Sequence, residues 1–289
     1  MDNIVNFDTL LALLDDRDEE VYFAVRDRLI QAGPAILPVL EYSLSSSSNL
    51  LQHERLEQII RLLNISKLEE KTAKWANSEN KTLLDGWILL SSIHYPAINL
   101  EKTEQHIQRI FFDIWLELND SLTSIEKVSI INHIIYDLYH FELNVTDIYA
   151  PENCLLNNLL ISRKGNLFSL ATLYCILARK LKLPIYPVGI GQYVILGFYE
   201  PQISKEVYGD DNHPYLFYIN LEHNGAIIGA KELEFVIHDN KEKAESIQPL
   251  SEGTLIKQLL LFLKKCYQTK GDLEKTEVAE RLLDKLQKF

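Results

Sequence analysis

The chain has 289 residues, 47% of them hydrophobic and 24% charged, with a formal net charge of -12 at pH 7. That supplies a large core and room for two domains. Acidic residues spread over the whole length leave no face built to neutralise phosphates and exclude nucleic acid as a leading partner.

The cysteines, Cys154, Cys175 and Cys266, form no CxxC pair. An odd, unpaired set fits a reducing, cytoplasmic setting better than a disulfide framework or a zinc site. The opening "MDNIVNFDTLLALLDDRDEE" lacks a basic region and turns acidic within two helical turns, so no export signal is expected. No apolar run approaches the roughly 20 residues of a membrane span.

Residues 1–67 read as helical. "DEEVYFAVRDRLIQAGPAILPVL" places Val21, Ala24, Val25, Leu29 and Ile30 on one face, breaks at Gly33-Pro34, and resumes from Ile36 through Leu40, a helical hairpin. Asp18, Val25 with Arg26, Leu29, Gly33 and Pro38 resemble one HEAT repeat, and "LLQHERLEQIIRLLN" a degenerate second one. The run Ser43 to Asn49 reads as a polar loop between helices.

Residues 68–250 begin with more helices. "TLLDGWILLSSIHYP" should stop near Pro96, and "IEKVSIINHIIYDLYHF" should bury Val128, Ile131, Ile134, Ile135, Leu138 and Phe141. After Pro151 a helix is followed by three β-rich runs, "IYPVGI", "YVILGFY" and "YLFYINL", forming a small antiparallel sheet. "EPQISKEVYGDDNHP", Glu200 to Pro214, reads as a polar loop, either a lid or a surface excursion. Residues 251–289 form two amphipathic helices joined at Lys270-Gly271-Asp272, resembling one tetratricopeptide unit with Ala279 at the helix contact. The fold class is therefore α+β and mostly helical.

The stretch "RKGNLFSLATLYCILARKLKLPIYPVGIGQYVIL" has the order helix, strand, strand. Gly165, Ala171, Leu173, Leu177, Arg179 and Leu183-Pro184 lie at the intervals of a transglutaminase-like (papain-like) core. The phrases "LLDGWILLSSIHYP", "YAPENCLLNNLLISRKG", "LARKLKLPIYPVGI" and "KGDLEKTEVAERLL" resemble the SirB-type transglutaminase-like proteins of bacteria.

The resemblance implies a catalytic cysteine, histidine and aspartate. The corresponding positions hold Leu167, Gln192 and Asn220, so no triad member keeps its chemistry. In enzymes of this type the thiol sits at a helix N-terminus, whose partial positive charge favours the thiolate. Cys175 is two turns further along, roughly 12 Å at 1.5 Å per residue, and reads as core.

The leading expectation is a non-catalytic binding or scaffold protein with a protein or peptide partner. The alternatives are a cysteine-dependent hydrolase or acyl transferase using Cys154 with His213 or His223, and a small-molecule or peptide sensor using the degenerate cleft. Asn166, Gln192, Tyr193 and Asn220 are the candidate cleft residues. The acidic pairs Asp15-Asp16 and Asp210-Asp211 read as solvated. No cofactor is expected, and no H-E-x-x-H or similar metal spacing occurs.

Overall fold

The computed structural model describes residues 7–96, 98–191, 193–209, 214–233 and 247–289. The chain divides into two compact units, residues 1–74 and 75–289. The candidate residues Gln192, His213, Asp210 and Asp211 lie outside the described residues.

In the first unit, α1 (Phe7–Ala12), α2 (Glu19–Ala32) and α3 (Leu37–Ser46) pack on the long α4 (Leu50–Asn77). Asp18 caps α2 by accepting from Glu20 N at 2.9 Å, and Gly33, at φ 78°, closes it in the left-handed region that glycine tolerates. Tyr22, Val25 and Leu29 are the buried stripe of α2, while Ala24 is exposed. The expected face is thus rotated, because the bulky Tyr22 takes the inward position. Arg55 is buried, with its guanidinium 4.3 Å from the Tyr22 ring and donating to Leu14 O at 3.0 Å. The serine run is largely helical: α3 continues to Ser46, with Ser43 Oγ donating to Val39 O and Ser46 Oγ to Tyr42 O. That back-bonding lets serine stay in a last turn.

The second unit is built around a buried helix and a sheet. α5 (Leu83–Ser91) stops before Pro96, as its sequence predicts. It is followed by α6 (Leu100–Glu117) and α7 (Ser124–Asn132), the latter opened by a Thr123–Glu126 capping box. Beyond α7 the chain tightens into no ordinary turn but widens to a π-helical one, His133–Leu138. Val128, Ile131, Ile134, Ile135 and Phe141 are buried as expected, yet Leu138 is 55% exposed. The i→i+5 register rotates the last residues away from the 3.6-residue face.

Two short strands, β1 (Glu142–Leu143) and β2 (Lys164–Gly165), pair in parallel, with α8 (Leu156–Ser162) between them. α9 (Leu167–Lys180) is buried from Phe168 through Ala178. Strands β3 (Ile185–Ile190), β4 (Tyr193–Tyr199) and β5 (Tyr215–Asn220) match the three predicted runs. The sequence reading missed β6 (Ala226–Ile228) and β7 (Ile247–Pro249), which complete a five-stranded antiparallel sheet of order β6-β5-β4-β3-β7. Three-residue strands carry too little alternation to be seen in sequence.

α9 lies against β3 and β4. A separate apolar cluster of Val188, Ile190, Ile195, Tyr215 and Tyr218 is covered by Tyr208, Ala230 and Leu233. The expected loop from Glu200 is in its first half a helix, α10 (Pro201–Tyr208), fixed by Ser204 Oγ donating to Tyr215 O and Tyr208 OH to Leu216 O. That half is tied to β5 at two points. The C-terminal pair is α11 (Glu252–Lys270) and α12 (Leu273–Lys285), with Gly271 at φ 75° in the turn and Ala279 fully buried at the contact.

Candidate functional site

The start of α9 is built with unusual care. Asn166 is its N-cap, with Oδ1 accepting from Ser169 N at 2.9 Å, while Ser169 Oγ accepts from Asn166 N at 2.9 Å. Such a reciprocal cap contributes about 1 kcal/mol. Gly165 precedes it because a Cβ there would lie 2.5 Å from Ser169 Oγ and 2.7 Å from Leu159 Cδ1. Leu167 follows as the first helical residue. Here the free backbone N–H groups and the helix dipole would stabilise an anion, but the side chain is hydrocarbon.

Leu167 lines a small pocket together with Ile190, Tyr193, Val194, Ile195, Asn220 and Glu222. The fold therefore brings Leu167, Tyr193 and Asn220 to one place. Its volume is about 30 Å³, room for one or two waters. Asn220 Oδ1 accepts from Glu222 N at 3.0 Å, so half of its amide is committed to its own turn. That turn is anchored from behind: Asn132 Nδ2 donates to Gly225 O at 2.6 Å, and Tyr174 OH donates to Asn132 Oδ1 at 3.1 Å. Gly225 is at φ 77°, and a Cβ on it would meet the Asn132 side chain at 2.2 Å.

Asn166 does not line this pocket. Only 7% exposed, it uses Nδ2 to donate to Cys154 Sγ at 3.0 Å. Glu222, Ile190, Val194 and Ile195 were not singled out from sequence. Glu222 follows a strand end, the one signal that marked it.

Cys154 ends the 3-10 turn Pro151–Cys154 and is fully buried. Trp87 Nε1 donates to its carbonyl at 2.7 Å, and Leu156 N donates to Ser91 Oγ at 3.0 Å, clamping the turn to α5. Burial, reinforced by a neighbouring Cys266 thiol, pushes the Cys154 thiol well above its ordinary range, and the Asn166 amide only partly opposes this. No histidine is among the groups acting on it. His223 is exposed on the 3-10 turn Leu221–His223. Burial pushes Cys175 up to about 12. All three cysteines are free and buried.

Among the described residues no group of three His, Cys, Asp or Glu side chains could hold a metal ion, and no described helix is long and apolar enough to cross a membrane.

A family model described as "Transglutaminase-like superfamily" matches residues 101–260. F-box only protein 21 of Pongo abelii is 29% identical over 106 residues, covering 37% of this chain and 16% of that protein. This chain thus aligns with about a sixth of the length of the curated relative. No solved structure matches the chain.

Proposed function

The chain belongs to the transglutaminase-like superfamily, and from that premise we propose that it is a non-catalytic member, of SirB-type resemblance, that works as a protein-binding or scaffold protein. One observation carries the reading: the first residue of the buried helix, where the backbone would stabilise a thiolate, is Leu167, and it lines a pocket of about 30 Å³.

The hydrolase or acyl-transferase alternative needs a reactive Cys154. A nucleophilic thiol requires a lowered pKa and partial exposure, whereas Cys154 has the opposite on both counts. The sensor alternative needs space for a ligand, and small-molecule sites enclose roughly 300–1,000 Å³, about ten times this pocket or more. Asn220 and Tyr193 give it a polar patch with no cysteine or histidine among its lining residues, its carboxylate being Glu222. Binding through the helical flanks is supported by analogy with helical hairpin modules.

The experiment is Leu167→Cys. The introduced thiol is expected to alkylate faster than any native cysteine, with a pKa below the ordinary value of about 8.5. The unaltered protein is expected to show no turnover of acyl or amide substrates. Turnover by the unaltered protein, abolished by Cys154→Ala, would replace this reading with the enzyme one.

A further inference from the structure

α6 packs against α8, α9 and the π-helical turn, with Thr103, Ile107, Ile110 and Ile114 as its buried stripe. A surface helix of this kind carries polar residues on its other face. α6 does so over its first half only. Past Arg109 the outward positions are taken by Phe112, Trp115 and Leu116, which are 49%, 56% and 72% exposed. Single exposed apolar side chains are ordinary, whereas three large ones contiguous on one helix mark a contact surface. Steps of three and four residues join Glu101, Glu104, Gln108, Phe112, Trp115 and Leu116 into one row along the helix.

The polar end of that row is concave. Glu101, Glu104 and Gln108 line a groove of about 430 Å³ together with Leu84 on α5 and Lys180 on α9. Lys180 is already engaged: its Nζ donates to Gln108 Oε1 at 3.0 Å and stands 5.6 Å from the Phe111 ring centroid. Glu101 accepts from Gln105 Nε2 at 3.3 Å, and neither Glu101 nor Glu104 has an ion pair among the described residues. The cations of α6, Lys102, His106 and Arg109, follow one another at steps of four and three and so lie on a separate edge of the helix, away from Glu104. The net charge of -12 adds a long-range attraction for a cationic partner.

We infer that the outward face of α6 docks an amphipathic helix of another protein, one that carries lysine or arginine. Its apolar side chains sit on Phe112, Trp115 and Leu116, and its cations face Glu101 and Glu104. Glu104 and Phe112 are eight residues apart, about 12 Å at 1.5 Å per residue, so the partner's cations stand about two turns from its apolar anchors. A second copy of this face is a poor occupant, because it has glutamates where the partner needs cations. The assignment rests on the proposed binding role and names its partner class; it does not rest on the absence of catalysis.

The test is titration of the full chain with a leucine–lysine amphipathic helical peptide as long as α6 and free of aromatic residues. Trp115 reports on docking directly, because Trp75 and Trp87 are buried. A saturable blue shift of emission and protection from acrylamide quenching are expected, both weakening as salt rises. A leucine–glutamate peptide of the same pattern should not bind. Phe112→Ser and Leu116→Ser, both at exposed positions, should each weaken the leucine–lysine peptide tenfold or more. Glu101→Gln combined with Glu104→Gln should weaken it and remove most of the salt dependence. No saturable binding, equal binding of the leucine–glutamate peptide, or full binding by Phe112→Ser would overturn the assignment. Self-association of the unaltered protein that Leu116→Ser abolishes, read by sedimentation, would give the face to a second copy and overturn it too. Each of these failures leaves the reading of the α9 pocket standing, since that is decided separately by alkylation of Leu167→Cys and by substrate turnover.

Discussion

At the start of α9 the backbone would favour an anion and the side chain is a leucine; in the turn before α8 the side chain is a thiol and its burial withholds reactivity. Leu167 has the free N–H groups, the cap and the small pocket. Cys154 has full burial, a neighbouring thiol and an indole clamped onto its carbonyl. On the proposed non-catalytic reading, the difference teaches that the geometry of such a position also stabilises the structure: Asn166, Ser169 and Gly165 start a buried helix whatever follows them.

The comparison breaks most severely if the clamp on Cys154 is removed. Trp87→Ala deletes a fully buried indole and should cost about 3–5 kcal/mol in denaturant unfolding, with Cys154 becoming open to alkylation in the destabilised protein. Gly165→Ala strikes the other side: the new Cβ meets Ser169 Oγ and Leu159, and crowding of this kind should cost about 1–3 kcal/mol, read from the same transition.

Asn166→Ala touches both regions at once. It should lose about 0.5–2 kcal/mol of capping and leave Cys154 no more reactive, since the amide is the group that lowers its pKa; faster alkylation of Cys154 in this variant would contradict the assignment of burial as the governing cause.

The smallest effect is pH dependence. Cys175 is raised from 9.0 to about 12 in the fold, so above pH 9 the unfolded chain loses a proton that the folded one keeps. Its contribution is fully present below pH 9 and is lost as pH rises toward 12. Between pH 8 and pH 10 this amounts to about 1 kcal/mol, and Cys175→Ala should flatten the slope in urea melts.

Much of the fold was legible in sequence, and for identifiable reasons. β3, β4 and β5 are long β-rich runs, and the α11–α12 hairpin announces itself through Gly271-Asp272. What escaped depended on contacts rather than pattern. Leu138 turned outward because of a π-helical turn, α10 formed in a polar stretch because β5 offered it hydrogen-bond acceptors, and β6 and β7 are too short to show a period.

At the site, the meeting of Leu167, Tyr193 and Asn220 followed from the resemblance to a transglutaminase-like core laid on the order helix, strand, strand. The partnership of Asn166 with Cys154 did not, because the two lie on separate elements brought together by tertiary contacts, among them Asn166 N donating to Asn153 O at 3.3 Å.

The most direct test is the alkylation rate of the native protein from about pH 5 to pH 9, with each cysteine followed separately by peptide mass spectrometry. Slow reaction at Cys154, Cys175 and Cys266 throughout that range is the predicted result. Fast reaction at Cys154 persisting below neutral pH would contradict the account and return the chain to the enzymes.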